Sequence, residues 1–135
     1  MTSPNISTTS DGTKFIRMKT PFRQIMEITS YWIDDLRQDD YVVDIGANVG
    51  AFCIRAAKRC WHVAAFEPVT GDLLEENIRL NGVEVKVFRA ALGRSGSTRI
   101  DWDGYLVRSP AFTLGEMIRI AGGCDFLKCD CEGAE

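Results

Sequence analysis

Short apolar runs alternate with amphipathic segments over most of the chain. Residues 41–45 and 62–66 are apolar runs of strand length, typical of strands buried on both faces of a parallel sheet. Residues 51–59 and 72–80 follow these runs and predict helices, the second ended by an Asn-Gly pair. Because helices separate the strands, the pattern predicts right-handed crossovers and a doubly wound, mostly parallel α/β sheet.

A third strand and then a hairpin follow this alternation. Residues 83–87, with valine at alternate positions, begin the third strand. Turn residues at 94–97 and 103–104 bracket two short runs, 98–101 and 105–108. Their spacing predicts a β-hairpin inserted into the α/β pattern.

The α/β pattern resumes after the hairpin. Thr113 and Glu116 are spaced as a capping box for a helix that runs through Ile120 and ends at Gly122. Residues 125–129 then predict a fourth strand.

The start of the chain is polar. Residues 1–19 are expected to be a mobile segment, and residues 20–135 to form one domain, since 135 residues of which 45% are hydrophobic suffice for one modest core. Thr20 and Pro21 predict the cap and first turn of a helix that packs against the sheet. Its apolar residues at helical spacing are Phe22, Ile25, Met26, Trp32, Ile33 and Leu36.

Charge and composition exclude several classes of function. A net charge of -3 offers no basic surface for a nucleic acid, and no stretch approaches the roughly 20 apolar residues of a membrane helix. Five cysteines, an odd number, predict no disulfide framework and favour a cytoplasmic protein. His62 is the sole histidine, so the ligand set predicts no metal site.

Residues 44–50 join the first strand to its helix through a glycine-containing turn. Gly46 and Gly50 would let the backbone approach a ligand while helix N–H groups point at an anionic group. The alternative is that the glycines only permit tight packing of strand against helix.

An acidic residue ends the second strand. Glu67 follows Asp44 at about the twenty-residue spacing at which doubly wound folds place a carboxylate for ribose hydroxyls. The turn lacks the G-x-G-x-x-G order of nicotinamide-binding folds, which disfavours a dehydrogenase, and Asp44 would repel a pyrophosphate. S-adenosylmethionine carries an ammonium and a carboxylate, which an acidic side chain beside helix N–H donors complements.

Four linked segments carry a resemblance to a known family. The chain resembles the FkbM-family methyltransferases in Val43 to Gly50, Phe66-Glu67-Pro68, Glu76 to Asn81, and Phe126 to Glu135. The resemblance implies a class I, Rossmann-like methyltransferase fold with S-adenosyl-L-methionine as methyl donor. It also implies a hydroxyl acceptor on a sugar or other small molecule.

The same resemblance implies roles for particular residues. The methionine part would lie on the glycine turn, at Asp44, Gly46, Ala47, Asn48 and Gly50. The ribose would lie at the end of the second strand, at Glu67 and Pro68, and the adenine near Ala91 and Leu92. Asp130 and Glu132 match the family's acidic motif and are the catalytic candidates that would orient the acceptor hydroxyl. His62, at the start of its strand, is interpreted as structural.

The resemblance also predicts an incomplete domain. The family's fold continues through more strands, so we expect a functional form that extends beyond Glu135, and self-association through the exposed sheet edge of this chain. Residues that shape the acceptor pocket would lie in the hairpin or beyond the chain, and the three tryptophans (Trp32, Trp61 and Trp102) would belong to the core. The alternative function is a noncatalytic module that binds the cofactor or a partner protein.

Overall fold

A computed structural model describes residues 3–17 and 32–131. Its strands and helices follow the chain in this order: β1 (Ile6–Thr8), β2 (Lys14–Ile16), β3 (Tyr41–Ile45), α1 (Cys53–Ala57), β4 (His62–Phe66), α2 (Gly71–Asn81), β5 (Lys86–Phe88), β6 (Ala91–Leu92), β7 (Gly96–Trp102), β8 (Tyr105–Phe112), α3 (Leu114–Ala121) and β9 (Phe126–Cys129).

The centre of the fold is a four-stranded sheet of order β5-β4-β3-β9, in which all neighbours are parallel. This confirms the predicted α/β class with a parallel sheet. The strand predicted from residue 83 is β5, which begins later than predicted, at Lys86, because its pairing with β4 starts with Ala64 opposite Lys86. Val83 and Val85 instead pack against the core from outside the strand.

Both faces of β3 are buried, as its apolar run predicted. Val42 belongs to the cluster that contains residues of α1 and α2, whereas its neighbour Val43 belongs to the cluster that contains Met117 of α3. Successive strand residues point to opposite faces, so a strand covered on both sides must be apolar throughout. Asp44 is the exception in β3, since it is polar and has no exposed surface.

The N-terminal segment is structured where it is described. β1 and β2 form an antiparallel hairpin, and Phe15 is 1% exposed within the core. Residues 6–8 and 14–16 therefore have defined secondary structure within the segment that was expected to be mobile. Two apolar residues, Phe15 and Ile16, between polar neighbours give no periodic signal, although the burial of Phe15 removes a large apolar surface from water.

Two asparagines of α2 hold this hairpin. Asn77 Oδ1 accepts from Ile16 N at 2.8 Å, while Asn77 Nδ2 donates to Val49 O at 2.9 Å. One turn later, Asn81 Oδ1 accepts from Lys14 N at 2.8 Å and Asn81 Nδ2 donates to Lys14 O at 2.7 Å. The amides thus occupy backbone positions that a neighbouring strand would otherwise fill.

The predicted helix over residues 20–36 lies mostly outside the described residues. Ile33–Asp35 form a single 3-10 turn, and Leu36 is extended and buried. Trp32 is 71% exposed and Trp61 is 66% exposed, so the prediction that the tryptophans belong to the core is wrong for these two.

The predicted hairpin is confirmed as β7 and β8, which pair antiparallel from Gly96 opposite Ala111 to Trp102 opposite Tyr105. Its turn residues Asp103 and Gly104 have φ values of 53° and 82°, as a two-residue hairpin turn requires. β6 pairs parallel with β8, which joins the hairpin to the segment that follows β5.

The capping prediction for α3 is also confirmed. Thr113 and Glu116 form a reciprocal capping box, and Gly122 ends the helix with φ of 88°. Among the residues that the structure describes, no helix has the length and apolar character needed to cross a membrane.

Candidate functional site

A cavity of about 420 Å³ opens at the carboxyl ends of β3 and β4. The chain adds β4 and β5 on one side of β3 and then places β9 on the other, so the strand order reverses between β3 and β9. Open α/β sheets bind ligands at such a reversal, outside the carboxyl ends of the strands. The residues that line the cavity are Ile45 to Asn48, Ala51, Phe52, Glu67 to Val69, Ala90 to Leu92, Thr98 to Trp102, Lys128, Asp130 and Cys131.

Gly46 is required by a close approach of two backbones. A Cβ at this position would lie 2.0 Å from the carbonyl oxygen of Asp130, and φ is +76°. Gly46 N also donates to Phe66 O at 2.9 Å, and Asp130 N donates to Ile45 O at 3.0 Å. The turn is therefore fixed against the ends of both neighbouring strands.

The second glycine serves packing. A Cβ on Gly50 would meet Ile54 Cδ1 at 2.7 Å and Leu74 Cδ1 at 2.9 Å, and Gly50 does not line the cavity. Both glycines thus allow close packing within the protein, and the approach of a ligand to Gly46, which lines the cavity, stays a prediction. Between them, Asn48 has a positive φ of 51° and lines the cavity.

Glu67 organises the cavity wall. Its Oε1 accepts from Asn48 N at 3.0 Å, and its Oε2 accepts from Val69 N at 2.6 Å and Thr70 N at 3.0 Å. The residue is 5% exposed. Because each carboxylate oxygen accepts about two hydrogen bonds, Oε1 retains one acceptor position for a ligand hydroxyl.

Asp44 does not line the cavity. Its side chain has 0% exposure, and its Oδ1 lies 3.0 Å from Nζ of Lys128, which is 9% exposed. Lys128 Nζ also donates to Gly46 O at 3.1 Å. Burial raises the pKa of Asp44, and the charge and hydrogen bond of Lys128 oppose that rise.

Asp44 was predicted to contact a ligand, but in this structure it is buried and does not line the cavity. The charged side chain that pairs with Asp44 and lines the cavity is that of Lys128, which the sequence did not indicate as a site residue. A lysine within the apolar run 126–129 was the available signal, because a charged residue in a buried strand requires a partner.

The hairpin supplies one wall of the cavity. Residues 98–102 of β7 line it, together with Ala91 and Leu92 of β6. The pairing of β6 and β7 with β8 positions this wall. The sequence predicted that the hairpin would help to shape a ligand pocket, but it did not indicate Thr98 to Trp102 individually. Nothing in the local sequence distinguishes these residues from other strand residues.

The candidate catalytic residues are only partly described. Asp130 lines the cavity immediately after β9, whereas Glu132 lies outside the described residues. His62 is exposed at the opposite end of β4 and stacks on Tyr41 with ring centroids 4.2 Å apart. This position agrees with a structural role for His62.

The structure therefore gathers the following predicted residues around one cavity: Gly46, Ala47, Asn48, Glu67, Pro68, Ala91, Leu92 and Asp130. No protein-family model matches the chain, and comparison with curated proteins gives no match.

Proposed function

We propose that the chain is the cofactor-binding part of an S-adenosylmethionine-dependent methyltransferase of the FkbM type, with a class I, Rossmann-like fold. The acceptor in this proposal is a hydroxyl on a small molecule or sugar. The proposed location is the cytoplasm, on the basis of the cysteine number alone. The proposed partners do not include nucleic acid, because the net charge is -3.

One observation carries the proposal: three of the four sequence segments that resemble one family converge on one cavity at the strand-order reversal, while the fourth, Glu76 to Asn81, holds the N-terminal hairpin. The glycine turn, Glu67, Ala91 and Asp130 are far apart in sequence, yet all line it. Residues that bind one ligand must line the same cavity, whereas residues that only pack the core need not do so.

The cavity suits an elongated ligand with polar and apolar parts. Its volume of about 420 Å³ lies in the range of roughly 300 to 1,000 Å³ that small-molecule sites occupy. Ala90 to Leu92 form an apolar wall for a purine ring, while Glu67 Oε1 has an acceptor position for a ribose hydroxyl. Asp130 supplies a carboxylate for an ammonium or an acceptor hydroxyl.

The bound cofactor would supply an electron-poor methyl group on a sulfonium. The protein's contribution is to hold the acceptor oxygen in line with the methyl group and to exclude water. Asp130 would accept the hydroxyl proton as the oxygen attacks. Thr98 to Trp102 face the same cavity and would contact the acceptor.

Calorimetric titration with S-adenosylhomocysteine tests the cofactor site. Wild-type protein should bind at micromolar Kd, and Glu67→Gln should bind about tenfold or more weakly, because a hydrogen bond to a charged group contributes roughly 1.5 to 3 kcal/mol. Glu75→Gln is the matched control, since Glu75 pairs with Arg89 outside the cavity.

The comparison must be made on folded protein, because Glu67 also holds three backbone N–H groups. Circular dichroism and thermal melting identify conditions in which the variants remain folded. Absence of binding by folded wild-type protein, or binding of a nicotinamide dinucleotide instead, would refute the proposal. Methyl transfer to any member of a panel of sugars and hydroxylated small molecules would exclude the noncatalytic alternative.

A further inference from the structure

Two cysteines flank Asp130 at the carboxyl end of β9. Cys129 Sγ and Cys131 Sγ lie 3.7 Å apart, and both side chains are partly exposed. Cys131 lines the cavity, and Cys129 is the last residue of β9. We propose that Cys129 and Cys131 form a dithiol that undergoes reversible thiol–disulfide exchange, and that the disulfide changes the shape of the cavity.

The backbone at this point permits the bond. A disulfide requires a sulfur–sulfur distance of about 2.05 Å, and the two sulfurs are already in van der Waals contact. Residues two apart in extended backbone have Cα atoms about 6.6 Å apart, close to the upper limit of about 6.8 Å for a disulfide. Because β9 ends at Cys129, a bend at residues 130 and 131 leaves the paired residues of β9 and β3 in place and strains only the hydrogen bond from Asp130 N to Ile45 O beyond them.

The other three cysteines are less suited to exchange. Cys53 and Cys60 are buried. Burial raises the pKa of the thiols of Cys53, Cys60 and Cys124. Since the thiolate is the attacking species, the raised pKa slows the attack of these three thiols on a disulfide.

The exchange uses a low-molecular-weight disulfide, such as oxidised glutathione, as the oxidant. One cysteine thiolate attacks a sulfur of the oxidant, which forms a mixed disulfide and releases one thiol. The second cysteine thiolate then attacks the protein sulfur of the mixed disulfide and releases the second thiol. Two cysteine thiols lose two electrons and two protons in total, and the oxidant is reduced to two thiols.

The bond is coupled to the cavity through Asp130. The Asp130 carbonyl oxygen packs against Gly46, where even a Cβ would approach to 2.0 Å. Drawing the flanking sulfurs together bends the backbone at Asp130, so this contact and the adjoining cavity wall must move. The effect on cofactor affinity rests on the proposed function, whereas formation of the bond does not.

Mass spectrometry after treatment with oxidised glutathione and thiol alkylation tests the bond. In the wild-type chain and in the control Cys124→Ser, the peptide that contains residues 129 and 131 should lose two hydrogens and resist alkylation until it is reduced. Cys129→Ser and Cys131→Ser should each carry a reducible glutathione adduct on the remaining cysteine of the pair. Stable adducts in the wild type, or a bond that joins Cys124 instead, would overturn the assignment.

Two measurements test the coupling. S-adenosylhomocysteine Kd should change at least threefold between the reduced and oxidised wild type, and should not change in the double variant Cys129→Ser/Cys131→Ser. Hydrogen exchange at Gly46 N and Ala47 N, which donate to Phe66 O, should change on oxidation in the wild type alone. Absence of binding in both states counts against the proposed function only, whereas unchanged exchange after the bond has formed refutes the coupling.

Discussion

Lys128 Nζ lies 3.0 Å from Oδ1 of Asp44, and the pair joins β9 to β3 beneath the glycine turn. Both side chains are almost wholly removed from solvent. A buried pair of this kind contributes little net stability relative to apolar residues, but loss of one partner leaves a charge without compensation. The pair therefore constrains which substitutions the site tolerates.

Replacement of the lysine alone should be strongly destabilising. Lys128→Met is expected to lower the free energy of unfolding at pH 7 by about 3 to 5 kcal/mol, because Asp44 remains buried. The double variant Lys128→Met/Asp44→Asn should recover most of that loss. Denaturant unfolding of both variants, compared with Asp44→Asn, provides the double-mutant cycle; an additive result would contradict the coupling.

The cost of Lys128→Met should depend on pH in a defined direction. The folded-state pKa of Asp44 is already raised by burial, and loss of Lys128 removes an effect that lowers it. The folded variant then binds a proton more readily than the unfolded chain, so its stability falls as the pH rises above the ordinary value of 3.8. Unfolding measured between pH 4 and 8 should show a shrinking penalty toward the acidic end.

Gly46→Ala should damage the site more than its backbone conformation alone explains. The matched control is Gly82→Ala, since Gly82 also has positive φ, +64°, but open space around the Cβ position. We expect about 1 to 2 kcal/mol for the control, and roughly 1 to 3 kcal/mol more for Gly46→Ala because Asp130 must move. Equal losses in thermal unfolding would show that the contact with Asp130 is unimportant.

Asn77→Ala should release the N-terminal hairpin. The change leaves Ile16 N and Val49 O without their amide partners, which is expected to cost roughly 2 to 4 kcal/mol. Asn81→Ala, at a partly exposed position, should cost less. Hydrogen exchange should accelerate at Ile16 in the first variant and at Lys14 in the second; unchanged exchange at both would contradict the role of the asparagines.

The ion pair between Asp11 and Arg55 gives a second pH dependence. Burial acts to raise the pKa of Asp11, but hydrogen bonds from Arg55, Thr9 and Thr13 outweigh it and hold the pKa below its ordinary value of 3.8. The resulting stability is complete above that value and is lost as the pH falls toward the lowered folded-state pKa. It therefore declines only below about pH 4.

Asp11→Asn should therefore reduce stability at pH 7 and narrow the difference from the wild type below pH 4. We expect about 1 kcal/mol, because Asp11 is half-exposed and solvent screens the charge. Asp34→Asn, in the exposed pair with Arg59, should have no measurable effect at either pH. A difference that persists unchanged to pH 3 would contradict this account.

Self-association through the sheet edge is a further expectation. Among the described residues, β9 pairs on one side only, and Leu127 is 40% exposed there. Unpaired strand edges recruit other chains, and a lysine at the edge opposes this. Sedimentation velocity should show association of the wild type that Leu127→Lys reduces, whereas Leu106→Lys, on the hairpin, should not reduce it.

Several parts of the fold were predictable because their causes are local. The apolar runs of β3 and β4 required burial on both faces, and Asp103-Gly104 permitted the hairpin turn. Thr113 and Glu116 satisfied the helix start by themselves. Each of these depends on backbone preference or on residues within a few positions, so the sequence contains the full argument.

The partners across the fold could not be predicted in the same way. Three features join residues that are distant in sequence. Asn77 holds the N-terminal hairpin of β1 and β2, Lys128 pairs with Asp44, and the hairpin of β7 and β8 forms a wall of the cavity. The sequence by itself determined the parallel α/β elements and indicated eight of the residues that line one cavity. Only the tertiary structure decided that Asp44 is buried against a lysine and that Gly50 serves packing, because burial depends on which strands and helices become neighbours.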